Sequence, residues 1–128
     1  MNLNKIFLKY LQEHDYEFKE TSFGIEFSYQ NLSFQYFSDD NDDQFFQLVL
    51  PSIYDVDENN YSLVTEATDK TNAEIKVIKT YVYEGKWVNV AFEILTDYTP
   101  DLADFLPRAI SLLLQARLTF YKSLENLK

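Results

Sequence analysis

An α+β fold is predicted: a single antiparallel five-stranded sheet with three helices, in the order α-β-β-β-α-β-β-α. Three observations predict it. Apolar residues alternate through two blocks, 23–50 and 75–95, as they do on half-buried strands. They recur at three and four over residues 3–12 and again from about residue 99, as on one face of a helix. A weaker helical stretch, 58–74, separates the two strand blocks. Short turns between strands favour antiparallel pairing.

The elements follow in chain order. Leu3, Phe7, Tyr10 and Leu11 share a helix face, with Lys5, Lys9 and Gln12 away from it and Asn2 as the cap. "FGIEFSY" sets Phe23, Ile25, Phe27 and Tyr29 on one strand face, and "LSFQYF" does the same with Leu32, Phe34 and Tyr36. After "DDNDD", the run "QFFQLVL" alternates at Phe46, Leu48 and Leu50, and Pro51 closes it. In 58–74, Tyr61, Val64, Ala67, Thr68 and Thr71 form a face of mostly small residues.

"IKVIKTYVYEGKWVNVAFEIL" reads as a hairpin about Glu84-Gly85. A two-residue loop pairs Tyr83 with Lys86, Tyr81 with Val88 and Val77 with Phe92. The core face then holds Ile75, Val77, Tyr81, Val88, Val90, Phe92 and Ile94, and Ile78, Val82, Trp87 and Ala91 fall on the other. The last helix starts at "TPDLADF", with Thr99 as the cap and Pro100 at the first helical position. It runs to about Leu127 with a kink at Pro107. Its stripe is Leu102, Leu106, Ala109, Ile110, Leu113, Phe120 and Leu124, and Leu114 and Leu118 lie off it.

At 128 residues the chain is one domain, 1–128, able to bury about two thirds of its unfolded surface without a metal or disulfide. It has no cysteine, which removes disulfides and thiolate metal sites. No signal-peptide pattern or membrane-length apolar run is present, so the expected location is cytoplasmic. The net charge is −10. Residues 39–74 hold ten acids against one lysine. Such a field repels phosphate backbones and excludes nucleic acid as the expected partner. Eleven Phe and ten Tyr argue against disorder. Two glycines cannot build a phosphate cradle.

The element order, with "ATDKTNAEIKVIKTYVYEGKWVNVAFEIL" and the tail "TPDLADFLPRAISLLLQARLTFYKSLE", resembles the secretion-chaperone-like fold. That fold is shared by type III secretion chaperones and the bacterial YbjN-like sensory transduction regulators. The first half is similar in element order more than in residues. The resemblance implies a dimeric or protein-binding module without catalytic residues or a cofactor.

The stretch "YDVDENNYSLVTE" has the alternating ligands and twelfth-position glutamate of an EF-hand loop, Asp55, Asp57, Asn59 and Glu66. Asn60 and Ser62 stand where glycine and an apolar anchor belong, and a strand precedes the loop. A helix start accounts for the same residues, since carboxylates favour a helix N-terminus. "SDDNDD" reads as a solvated hairpin loop, with a hard cation as the sharper alternative. His14 beside Asp15 is the lone histidine, without a nucleophile or second ligand in the pattern.

Ile78, Val82 and Trp87 form either a partner surface or the floor under a second layer. Leu114 and Leu118 are either core or interface. The expected function is a non-enzymatic protein-binding or chaperone-like module, a homodimer with a client protein and no membrane or nucleic acid. The alternative is a small-molecule-binding or hydrolytic domain that uses the aromatic sheet face as a pocket.

Overall fold

A computed structural model describes residues 2–128. The helix α1 (Leu3–Glu13) precedes four strands, β1 (Phe18–Glu20), β2 (Gly24–Tyr29), β3 (Leu32–Phe37) and β4 (Phe45–Asp55). Then come α2 (Tyr61–Glu74), β5 (Ile78–Tyr83), β6 (Trp87–Leu95) and α3 (Leu102–Leu127). The sheet has six antiparallel strands in the order β1-β2-β3-β4-β6-β5, not five. The added strand, "FKE", is three residues long and carries no alternation of its own. It forms because Tyr16–Thr21 folds back along β2, pairing Phe18 with Phe27.

The core lies between one sheet face and the helices. From α1, the side chain of Asn2 accepts the N–H of Lys5, and Leu3, Phe7 and Leu11 are buried. Phe7 stacks on Tyr36 at 4.7 Å and leans on Phe27 and Phe46. Contacts of this offset and tilted kind add to the area term. From α3, the expected stripe is buried, together with Ala116. Its cap is Asp101, whose carboxylate accepts the N–H of Ala103, rather than Thr99. Aspartate is as good a cap as threonine, and placing it there leaves Pro100 outside the helix. From α2, Val64, Ala67, Thr68 and Thr71 are buried, while Tyr61 is exposed.

The β5–β6 register differs from expectation by one residue. Glu84 and Gly85 both have positive φ, and Tyr83 accepts the N–H of Lys86, so the two-residue turn forms. Lys86 then bulges out of the ladder, and the pairs run Tyr83 with Trp87, Val82 with Val88 and Ile78 with Phe92. The carbonyl of Lys86 is held from the other side by the N–H of Val56. A one-residue slip moves a strand's side chains to the opposite face. Ile78, Thr80 and Val82 therefore point to the helices, and Tyr81 points away. Val77 falls before the strand and is 54% exposed, not buried. Val88, Val90 and Phe92 are buried as the pattern predicts.

A second irregularity lies in β4. Three residues, Pro51–Ile53, sit opposite Asn89 alone, and Ser52 has φ 57°. The Asn89 side chain accepts the N–H of Ser52, and the Tyr121 hydroxyl from α3 donates to the carbonyl of Ile53. The bulge is thus tied both to the next strand and to the last helix.

Among the described residues, the sheet's other face carries no helix. Val49 and Ala91 are nonetheless buried there, beneath long polar side chains. Lys79 pairs with Glu93 at 2.8 Å, and Gln47 donates to the same carboxylate at 2.6 Å. Lys79 also lies over the Tyr81 ring, and the Asn89 amide donates to the Tyr81 hydroxyl. Among the described residues, no helix is long and apolar enough to cross a membrane.

Candidate functional site

The middle of the sheet's helix-free face is tiled by polar groups that satisfy one another, with the Tyr83–Trp87 pair at one end. An apolar cleft lies on the helix side. The end of β6 brings Phe92 and Ile94 against the first turns of α3, where Phe105, Ala109 and Leu112 face them. The connection from α2 to β5 closes one side with Lys76 and Val77. The result is a cleft of about 280 Å³ with an apolar floor, rimmed by Lys76, Arg108 and Asp104. Phe105 holds the floor in place, stacked along Phe92 and edge-on to Phe46 at 5.0 Å.

Val77 stands at the mouth with φ 65°. A β-branched residue in the left-handed region is strained, because its Cβ crowds the backbone. The strain exposes an aliphatic side chain beside the cleft instead of folding it into the core. Leu95 and Tyr98, which follow Ile94 in the chain, are also largely exposed. The pattern missed this cleft because it placed Val77 inside. The run "IKVI" offers alternate register choices with equally apolar faces, so periodicity does not choose between them.

The sequence-selected surface residues are dispersed. Ile78 is buried and Val82 half-buried on the helix side. Trp87 lies on the opposite face, stacked on Tyr83 at 5.6 Å, with its indole N–H enclosed and unpaired. Leu114 packs on the core from α3, and Leu118 is 54% exposed. The expected patch of Ile78, Val82 and Trp87 is therefore split by the register, and only Trp87 keeps the face assigned to it.

The EF-hand-like stretch is a turn into α2. β4 runs up to Asp55, with no helix before the loop. The Asp57 carboxylate accepts the N–H groups of Asn59 and Asn60, and Asn60 answers through its side chain to the N–H of Asp57 and the carbonyl of Asp55. The acidic loop behaves similarly. Asp39 accepts the N–H of Asn41, and Asp42 that of Gln44. Among the described residues, no three acidic or histidine side chains converge as metal ligands. Asp39 and Asp43 do lie near the Tyr36 ring in a small pocket of about 110 Å³. Burial, with the charges of Asp43 and Asp39 adding, pushes the Tyr36 phenol up to about 12.

His14 caps the end of α1, stacked on Tyr10 at 4.0 Å, with Nδ1 against the Tyr10 carbonyl. It borders an open cleft of about 770 Å³ with Asp15, Tyr16, Tyr29 and the β2–β3 turn. No side-chain hydrogen bond links His14 to a nucleophile among the described residues.

No family model matches the sequence, and no curated protein matches it. Solved structures do match. YbjN from E. coli, proposed to be a transcription regulator, superposes with a TM-score of 0.68 at 10% identity, over 96% of this chain and 92% of that one. An uncharacterized protein from Methanothermobacter thermautotrophicus superposes with a TM-score of 0.61 at 12% identity, over 96% of both chains. The chain therefore has the YbjN-like fold.

Proposed function

We propose that this chain is a non-enzymatic regulatory module that binds an apolar segment of a partner protein in the cleft between β6, α3 and the turn at Val77. The exposed, strained Val77 beside an apolar floor is the observation that carries the reading. A valine held in this conformation at a cleft mouth stabilises nothing inside the fold, whereas a bound apolar side chain would cover it. The YbjN-like fold, found in a protein proposed to be a transcription regulator, is compatible with such a role. Self-association through the outer face of α3 at Leu118, or at the Tyr83–Trp87 pair, completes the proposal.

The test is affinity purification from the native host, run in parallel with the wild type and with Val77→Asp. A protein recovered with the wild type and lost with the folded variant supports the reading. Identical recoveries would overturn it.

A further inference from the structure

We infer that the partner segment is acidic as well as apolar: an anchor side chain flanked by carboxylates. The inference rests on the cleft being the partner site. Its observation is separate, and concerns the charges around the rim. The chain has a net charge of −10, yet two cations stand at this cleft without partners. The ion pairs among the described residues use Lys9, Lys19, Lys79, Lys86 and Lys128. Lys5, Lys70, Arg117 and Lys122 also join none of them, but Lys76 and Arg108 are set apart by lining one apolar cleft together, and neither makes a side-chain hydrogen bond among the described residues. Asp104, one helical turn before Arg108 on the same rim, does not come within pairing distance of it either.

Two cations and one carboxylate leave the rim locally positive on an acidic molecule. An occupant that brings carboxylates meets attraction here and repulsion over most of the remaining surface. That contrast gives orientation as well as affinity. Arg108 adds a planar fork that binds a carboxylate through two parallel hydrogen bonds. Asp104 opposes a carboxylate set directly over it, which favours placement toward Lys76 and Arg108. The floor sets the rest of the chemistry. A volume of about 280 Å³, open at Val77, takes an apolar side chain but leaves a long acyl chain in water. A peptide therefore fits better than a lipid.

The experiment is fluorescence anisotropy with two labelled synthetic peptides. One has a phenylalanine flanked by glutamates, and the other has glutamines in their place. The glutamate peptide is expected to bind about tenfold tighter at low salt. The preference should shrink as salt is added. Arg108→Gln and Lys76→Gln should each reduce the preference and leave the glutamine peptide's affinity unchanged. Val77→Asp should weaken both peptides, with circular dichroism confirming its fold.

Equal binding of both peptides, lost in Val77→Asp, would leave the cleft reading in place and overturn the acidic preference. No binding of either peptide at millimolar concentration would overturn both. Light scattering on the same samples gives the remaining outcome. A wild-type dimer separated by Val77→Asp, with no peptide bound, would make a second copy the occupant and overturn the acidic-peptide inference.

Discussion

The side-chain amide of Asn72 meets the backbone of Thr80 as the peptide group of a neighbouring strand would. Its Nδ2 donates to the Thr80 carbonyl at 3.1 Å, and its Oδ1 accepts the Thr80 N–H at 2.6 Å and the Thr80 hydroxyl at 2.9 Å. The same hydroxyl also reaches the carbonyl of Thr68. β5 is an edge strand, and α2 thus seals the middle of its open side. Unpaired edges invite pairing with other chains.

Asn72→Ala should remove two hydrogen bonds to the Thr80 backbone and the Thr80 hydroxyl's shared contact, all at a partly exposed edge. The expected loss is about 1–3 kcal/mol in urea unfolding, at roughly 1 kcal/mol per bond reduced by access to water. The variant should also aggregate faster near its unfolding midpoint. An unchanged midpoint would show that α2 does not protect this edge.

Val77→Gly should raise stability. Glycine occupies positive φ without strain, and relief of about 1–3 kcal/mol exceeds the roughly 0.5–1 kcal/mol of added unfolded-state freedom. The exposed Val77 side chain has little packing to lose. A gain of about 1 kcal/mol in chemical denaturation is expected, and a loss would show that the valine contacts outweigh the strain.

Phe92→Ala should cost about 3–5 kcal/mol, because it removes a nearly buried ring and opens a cavity between β6 and α3. Phe105, stacked along that ring, would lose its support, so the cleft floor should loosen as well. Denaturant unfolding, with hydrogen exchange at the start of α3, measures both effects.

Stability should fall in alkali. The Tyr36 phenol is raised from 10.0 to about 12 in the folded chain, and Tyr10 and Tyr16 are raised too, chiefly by burial. Below pH 10 both states hold the proton, and the contribution is fully present. Between about 10 and 12 the unfolded state ionises first, and the contribution is lost. For Tyr36 this loss is on the order of 2 kcal/mol. Tyr36→Phe should flatten the decline, as followed by unfolding at stepped pH.

Self-association is tested at Leu118 and Trp87. If the outer face of α3 joins two copies, Leu118→Asp turns a dimer into a folded monomer by light scattering, and Trp87→Asp does not. The reverse result would assign the contact to the Tyr83–Trp87 end of the sheet.

Much of this fold was legible because burial and periodicity coincide. The face of Leu3, Phe7 and Leu11, the stripe from Leu102 to Leu124 and the alternation at Phe46, Leu48 and Leu50 all bury the residues the pattern selects. Two things were hidden. β1 is too short to show a period, and its place comes from pairing with β2. The β5 register was unreadable locally, because Lys86 bulges when its carbonyl is taken by Val56, thirty residues earlier in the chain. The candidate cleft shared that fate, since its mouth depends on where β5 begins. A β-branched residue at positive φ leaves no mark in composition or spacing.

The bulge of β4 also bears on how the chain is made. β1 to β4 are neighbours both in the chain and in the sheet, so each can pair with the strand made just before it. β4 itself then waits with one side open, because its other partner, β6, begins at Trp87. Both side chains that anchor Pro51–Ile53 come later still: Asn89 lies within β6 and Tyr121 near the end of α3. Until β6 is made, the strand with Phe46, Leu48 and Leu50 is an unfinished edge. Pro51 has no N–H to offer and breaks the donor row of that edge before Asn89 and Tyr121 arrive to hold Ser52 and Ile53, so the nascent chain carries its own guard until the last helix locks the sheet.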